Sequence, residues 1–324
     1  MTIVLSLLAL LVVFLLGMHL WTRHLTKVGL QTVPQLGQII PVSGGSIHYV
    51  EKGDPNAQTI VMIHGLAGQL QHFTYGLMDE LADEYHVIAL DRSGCGYSTR
   101  DTAEMGRLPE QARMITEFLD AKGVTDAVLV GHSLGGAVSL AIALDYPDRV
   151  SSLALLAPLT HQMPKPPEVF KSLEIRTPWI RRLIGNTLAV PIASKTAPHV
   201  LQVAFDPETA PDDFLERAGG ALGLRPSAFI TASQDLVGVD DSIAAQSARY
   251  PELKTPGGVL YGAQDTILSP AMHGPQMQQF GLTYQEVDGL GHMTPITVPE
   301  TCADFIRKVI QNAAKADNTS TDVG

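Results

Sequence analysis

Along most of the chain the apolar positions fall in short unbroken runs, a pattern that predicts strands covered on both faces. Residues 58–63 (QTIVMI), 86–90 (HVIAL), 126–130 (DAVLV) and 152–156 (SLALL) are apolar nearly throughout, as in a parallel sheet held between two layers of helices. Residues 46–51 (SIHYVE) alternate instead, like an antiparallel strand. Helical stretches at 75–84, 109–122 and 134–145 separate these runs. Strand and helix in turn predict an α/β chain wound about a mostly parallel sheet. The alternation lapses after Pro158, where residues 159–225 are rich in proline with short helical pieces between, and this stretch reads as an inserted helical cap. It then resumes with a helical return at 226–250, strands at 258–261 (GVLY) and 283–287 (TYQEV), a short helix at 273–280 and a closing amphipathic helix at 298–314. The expected layout is a core in two parts, 42–158 and 226–314, split by the cap at 159–225. A polar tail at 315–324 is expected to be disordered.

The first residues break the pattern differently. Residues 3–22 (IVLSLLALLVVFLLGMHLWT) carry no formal charge, and about 20 helical residues span the ~30 Å hydrocarbon layer. The segment is expected to be a transmembrane helix, with residues 1–27 forming an anchor and its basic flank. A cleaved signal peptide is the main competitor, although no Lys or Arg precedes the apolar run and no clear small-residue cleavage site follows it. Arg23, His24 and Lys27 follow the run, which places the C-terminal side of the segment in the cytoplasm by the positive-inside rule. Residues 28–41, with Pro34 and Gly37, read as a tether, so removal of residues 1–27 is expected to release a folded domain.

Charge narrows the partners. Lys and Arg number 22 against 33 acidic residues, a formal net charge of -11, which repels nucleic acid and suits small apolar substrates. The two cysteines, Cys95 and Cys302, form no C-x-x-C pair and read as free thiols. There is no H-E-x-x-H, no dinucleotide-binding glycine motif and no P-loop, so no metal or nucleotide cofactor is expected.

The chemistry concentrates in a few segments. Gly131-His132-Ser133-Leu134-Gly135 is a G-x-S-x-G pattern between an apolar strand and a small-residue helix. A sharp turn there would lift the Ser133 hydroxyl into a site. A serine needs a base, and His292, in the loop DGLGHM after the strand TYQEV, has the right setting. The imidazole in turn needs a carboxylate, and Asp265 follows the strand GVLY directly. Asp288 and Asp235 are rivals for that role. An oxyanion requires fixed donors, for which the backbone N–H groups of Leu134, at the head of a helix, and Leu66, in His64-Gly65-Leu66-Ala67-Gly68, are the candidates.

With these motifs in the order Ser, Asp, His, the chain resembles the α/β-hydrolase fold superfamily, in its branch of esterases, lipases and epoxide-hydrolase-like proteins, from about residue 39 to 312. The segment 91–100 (DRSGCGYSTR) looks like the D-R-P-G-x-G-x-S loop of that branch, with Ser93 where proline is common. The resemblance implies a cap where residues 159–225 lie. It excludes the relatives that attack with an aspartate, since Ser133 stands at that position. It implies a membrane-tethered serine esterase or lipase-like enzyme acting on apolar acyl groups, with C–C bond, lactone or amide hydrolysis as variants of the same chemistry. A binding or sensing protein on this fold is the alternative from another class.

Overall fold

The computed structural model describes residues 1–321. Its sheet has nine strands: β1 Gln38–Val42, β2 Gly45–Lys52, β3 Thr59–Ile63, β4 His86–Leu90, β5 Thr99–Arg100, β6 Ala127–His132, β7 Val150–Leu156, β8 Gly257–Gly262 and β9 Leu282–Val287. The order across the sheet is β1-β2-β4-β3-β6-β7-β8-β9, with β5 paired to β2. Pairings among β1, β2, β4 and β5 that involve β2 are antiparallel and all the others are parallel. The fold is the expected α/β class with a mostly parallel sheet.

The unbroken apolar runs have a direct cause. On β3, Val61 and Ile63 pack on one face of the sheet with the helices α2 (Leu108–Lys122) and α3 (Leu134–Asp145), while Ile60 and Met62 pack on the other with short helices at 71–81 and the closing helix. Both faces are dry, so neither alternate position can be polar. Strand β1 was not expected, since residues 28–41 read as tether. It is an exposed edge strand carrying Pro41, a position where the missing N–H breaks no ladder on the open side.

Between β7 and β8 the described structure is helical only. It includes α4 (Pro178–Ile184), a π-helical turn Gly185–Ala189, α5 (Val190–Phe205) and α6 (Pro226–Asp240). The closing helix α7 spans Pro299–Thr321. It therefore runs past residue 314 into the stretch expected to be a disordered tail, helped by the strong helix formers of 313–316 (AAKA). The last three positions of that expectation, 322–324, lie outside the described residues.

The N-terminal helix α1 covers Thr2–Thr32, and the rest of the chain buries none of its apolar window. It is the one helix among the described residues long and apolar enough to cross a membrane. Its C-terminal half is not a free tether. Thr22 is buried and donates to the Thr187 carbonyl at 2.8 Å. Gly29 lies so close to Ala221 that an added Cβ would sit 2.4 Å from its carbonyl oxygen. A cut after residue 27 removes the Thr22 contact, a coupling invisible in a hydropathy pattern.

Candidate active site

Ser133 stands at the junction of β6 and α3 with φ 55 and ψ -120, a conformation that costs a non-glycine residue about 1–3 kcal/mol and persists only when the surroundings enforce it. Here they do. The Ser133 N–H donates to the Leu156 carbonyl of β7 at 3.0 Å, and the Ser133 carbonyl accepts from Gly136 and Leu159, each at 2.9 Å. Gly135 lets the head of α3 approach β3, since a Cβ there would lie 1.9 Å from the Ile63 carbonyl oxygen. The tight turn thus presses the serine against the end of β3, where the His64–Gly68 loop begins.

Gly65 is in direct contact with the serine: a Cβ on it would stand 2.9 Å from Ser133 Cβ and 3.3 Å from Oγ. The backbone N–H groups of Leu66 and Leu134 have no protein acceptor among the described residues. Leu66, Ser133 and Leu134 line one cavity of ≈ 50 Å³, whose other walls are Leu159, Met163, Pro167, Phe170, Leu236, Val239, Ile267 and Leu268. A wider groove of ≈ 260 Å³ shares Leu159, Met163, Leu236 and Val239 with it. Gly65→Ala is expected to push the loop off the serine and lower kcat by about 10²-fold, the loss typical of one oxyanion donor, with KM for a short ester nearly unchanged in steady-state assays.

Asp265 and His292 meet. The His292 Nδ1–H donates to Asp265 Oδ2 at 2.7 Å, while Asp265 Oδ1 accepts the N–H groups of Ile267 and Leu268, each at 2.8 Å. Both residues are buried. His292 Nε2 is engaged by no protein group among the described residues, and no hydrogen bond joins it to Ser133 there. The link between the two segments is His132, whose ring lies 4.9 Å from that of His292 and whose Nε2–H donates to the His292 carbonyl at 3.0 Å. Burial, reinforced by the neighbouring His292, holds the His132 pKa far below the usual histidine value, so this ring stays neutral.

The two rival carboxylates are elsewhere. Asp288 is exposed. Asp235, on α6, is fully buried between two guanidinium groups, accepting from Arg92 at 2.7 Å and Arg100 at 2.6 Å. Arg92 in turn donates to the carbonyls of His64 (2.8 Å) and Gly65 (2.9 Å), so this ion cluster clamps the loop beside Ser133. The His64 ring accepts the Arg92 backbone N–H at Nε2, and burial, with Arg92 adding to it, keeps its pKa well below the ordinary value. Removing one member of a buried ion cluster strands the others, so Asp235→Ala is expected to lower stability by about 3–5 kcal/mol, measured by urea denaturation.

Two supporting groups carried no separate role in the sequence. Arg92 lies in a recognisable motif, and its place just past the apolar run at 86–90 was the available signal. Glu208, which follows α5, accepts the Gly291 N–H at 2.5 Å and so steadies the residue before His292. Nothing in the sequence around Glu208 signals this.

A family model described as alpha/beta hydrolase fold matches residues 58–299. Among curated proteins, the chain is 29% identical over 232 residues to a 2-hydroxy-6-oxononadienedioate/2-hydroxy-6-oxononatrienedioate hydrolase from Paraburkholderia phymatum, covering 68% of this chain and 75% of that one. It is 35% identical over 115 residues to Lipase 1 of Psychrobacter immobilis, covering 35% of this chain and 36% of the lipase. The chain spans about a third of the length of two other curated relatives that it matches. A solved carboxylesterase from Bacillus subtilis shares the fold, with a TM-score of 0.68 at 16% identity over 91% of this chain and 98% of that one.

Proposed function

Because the chain belongs to the α/β-hydrolase fold family, we propose that it is a serine hydrolase cleaving carboxylic esters of apolar acyl groups, with Ser133 as nucleophile, His292 as general base and acid, and Asp265 orienting the imidazole. Ser133 Oγ attacks the acyl carbon as His292 Nε2 takes its proton. The resulting oxyanion is received by the N–H groups of Leu66 and Leu134, the latter at a helix N-terminus that favours negative charge. The imidazolium then protonates the departing alcohol. Water, deprotonated by the same nitrogen, frees the acyl group from Ser133. Asp265 supports this cycle by holding the proton on Nδ1, which leaves Nε2 with its lone pair.

The observation that carries the ester reading is the lining of the cavity at Ser133: every wall except the serine is aliphatic, aromatic or proline. Such a wall suits an acyl chain. The likeness to the dienedioate hydrolase favours C–C bond cleavage as a second reading; the cavity at Ser133 offers a charged group no cation, although Lys165 and Arg176 line the adjoining groove. A panel of p-nitrophenyl esters of increasing chain length, assayed beside a 2-hydroxy-6-oxo dienedioate, tests the choice. Turnover rising with acyl length supports the ester reading, and turnover of the diacid alone overturns it.

The helix α1 is proposed to tether the enzyme to a bilayer, with Arg23 and Lys27 marking the cytoplasmic side. The helices between β7 and β8 are proposed to act as the cap over the acyl pocket.

A further inference from the structure

We propose that the α4–α5 face of the helical insertion is a second membrane contact that rests in the headgroup layer beside α1 and opens the substrate groove toward the bilayer. The proposal rests on the tether reading of α1 and adds a surface to it.

The first argument is one of length. A helix crosses ~30 Å of hydrocarbon with about 20 residues, so a span starting at Thr2 reaches the far surface near Trp21. At that level α1 is already docked. His19 Nδ1 lies 2.9 Å from the Asn186 carbonyl, and Thr22 donates to the Thr187 carbonyl. Asn186 and Thr187 belong to the π-helical turn between α4 and α5. The insertion therefore cannot stand off from the bilayer on a flexible stalk; its α4–α5 corner lies at the depth where the apolar run ends.

The second argument is what that corner exposes. Trp179 is 67% exposed, Leu183 45% and Ile192 56%. Trp179 and Leu183 are one turn apart on α4, the helix that runs into the docked turn, so they share one exposed face of it. Ile192 is one turn before Lys195, whose ammonium stands 5.9 Å from the Trp21 ring. Trp21 and Trp179 are the only tryptophans in the chain. Both are exposed, Trp21 at the junction itself and Trp179 at the start of the helix that leads into it, and amphipathic indoles are favoured at a lipid–water boundary.

Charge agrees. The chain carries a net charge of -11, yet residues 1–50 and 175–205 contain no Asp or Glu. The same segments supply Arg23, Lys27, Arg182 and Lys195, all exposed. A carboxylate-free basic corner on an acidic protein is complementary to anionic headgroups. Arg176, on the wall of the wider groove, is two positions before the start of α4 and is paired with Asp240 and Asp241, so the acidic side chains near this end of the insertion, Glu174 included, lie at the groove rather than on the α4–α5 face.

The test uses the full chain in vesicles of phosphatidylcholine and phosphatidylglycerol carrying bromines at graded depths. Trp21→Phe leaves Trp179 as the sole tryptophan, and Trp179→Phe leaves Trp21. The proposal expects Trp179 emission to shift to the blue and to be quenched most by shallow bromines. Quenching of Trp21 with Trp179 left in a water-like environment overturns the second contact while the anchor stands. Absence of quenching in both, with protein that does not float with the vesicles, overturns the anchor and this contact together. These readouts need no turnover, so they do not depend on the ester assignment. With Leu183→Glu and Ile192→Glu combined, hydrolysis of a vesicle-embedded ester is expected to fall several-fold while a soluble short-chain ester is cleaved as before. Equal losses on both, or on neither, contradict a groove fed from the bilayer.

Discussion

Ser133→Ala is expected to lower kcat for an apolar ester by a factor on the order of 10⁶ while the protein folds as before. The reasoning is local. The hydroxyl forms no hydrogen bond that supports the turn; the backbone does that through Leu156, Gly136 and Leu159. Alanine also has the smaller side chain, so the close packing of Gly65 against Ser133 Cβ is undisturbed. On the proposed mechanism, what disappears is the atom that carries the acyl group, so acyl-enzyme formation should cease and the pocket alone should contribute the residue of rate. The measurement is steady-state hydrolysis of a p-nitrophenyl ester on protein prepared free of wild type, beside a thermal melt. A variant that keeps more than about a hundredth of the activity shows that another group attacks, because loss of a true nucleophile costs far more.

Asp265→Asn is expected to cost about 10⁴-fold in kcat, the size seen when the orienting carboxylate of such a triad becomes an amide. The geometry says why in this chain. Asp265 Oδ1 is fixed by two backbone donors, from Ile267 and Leu268. An asparagine must keep its oxygen there, which turns its NH₂ toward His292. The ring then has to offer Nδ1 as the acceptor and carry its proton on Nε2, leaving no lone pair to receive the Ser133 proton. Since the turn at 265–268 keeps both hydrogen bonds, stability should change little, and a loss of activity cannot be ascribed to unfolding. Asp288→Asn is the control. Its carboxylate is exposed, and the variant should retain wild-type kinetics.

The central strands β3, β4 and β6 were legible because each is dry on both faces, so Ile60 to Ile63 or Val87 to Leu90 could hold nothing polar. Strand β1 escaped notice for the opposite reason: at an edge, with Gln38 and Ile39 both exposed, it has no period to betray it. The serine turn was readable because its glycines, strand and helix are contiguous. The contact of Asp265 with His292 joins residues 27 apart, and only the position of each after its own strand pointed to it. The clamp of Arg92 on Asp235 spans 143 residues and depends on where α6 lands, information that no local pattern holds. The same is true of Thr22 on Thr187: a threonine in an apolar run reads as a tolerated polar residue until the helix beside it is known.

The most direct test of the central assignment is to treat the folded, full-length protein with a fluorophosphonate, then find the modified residue by peptide mass spectrometry. The account predicts one adduct per chain, on the peptide containing Ser133, formed in step with the loss of esterase activity and absent after His292→Ala. An active protein that stays unlabelled at Ser133, or that is inactivated by an adduct on a different residue, contradicts it.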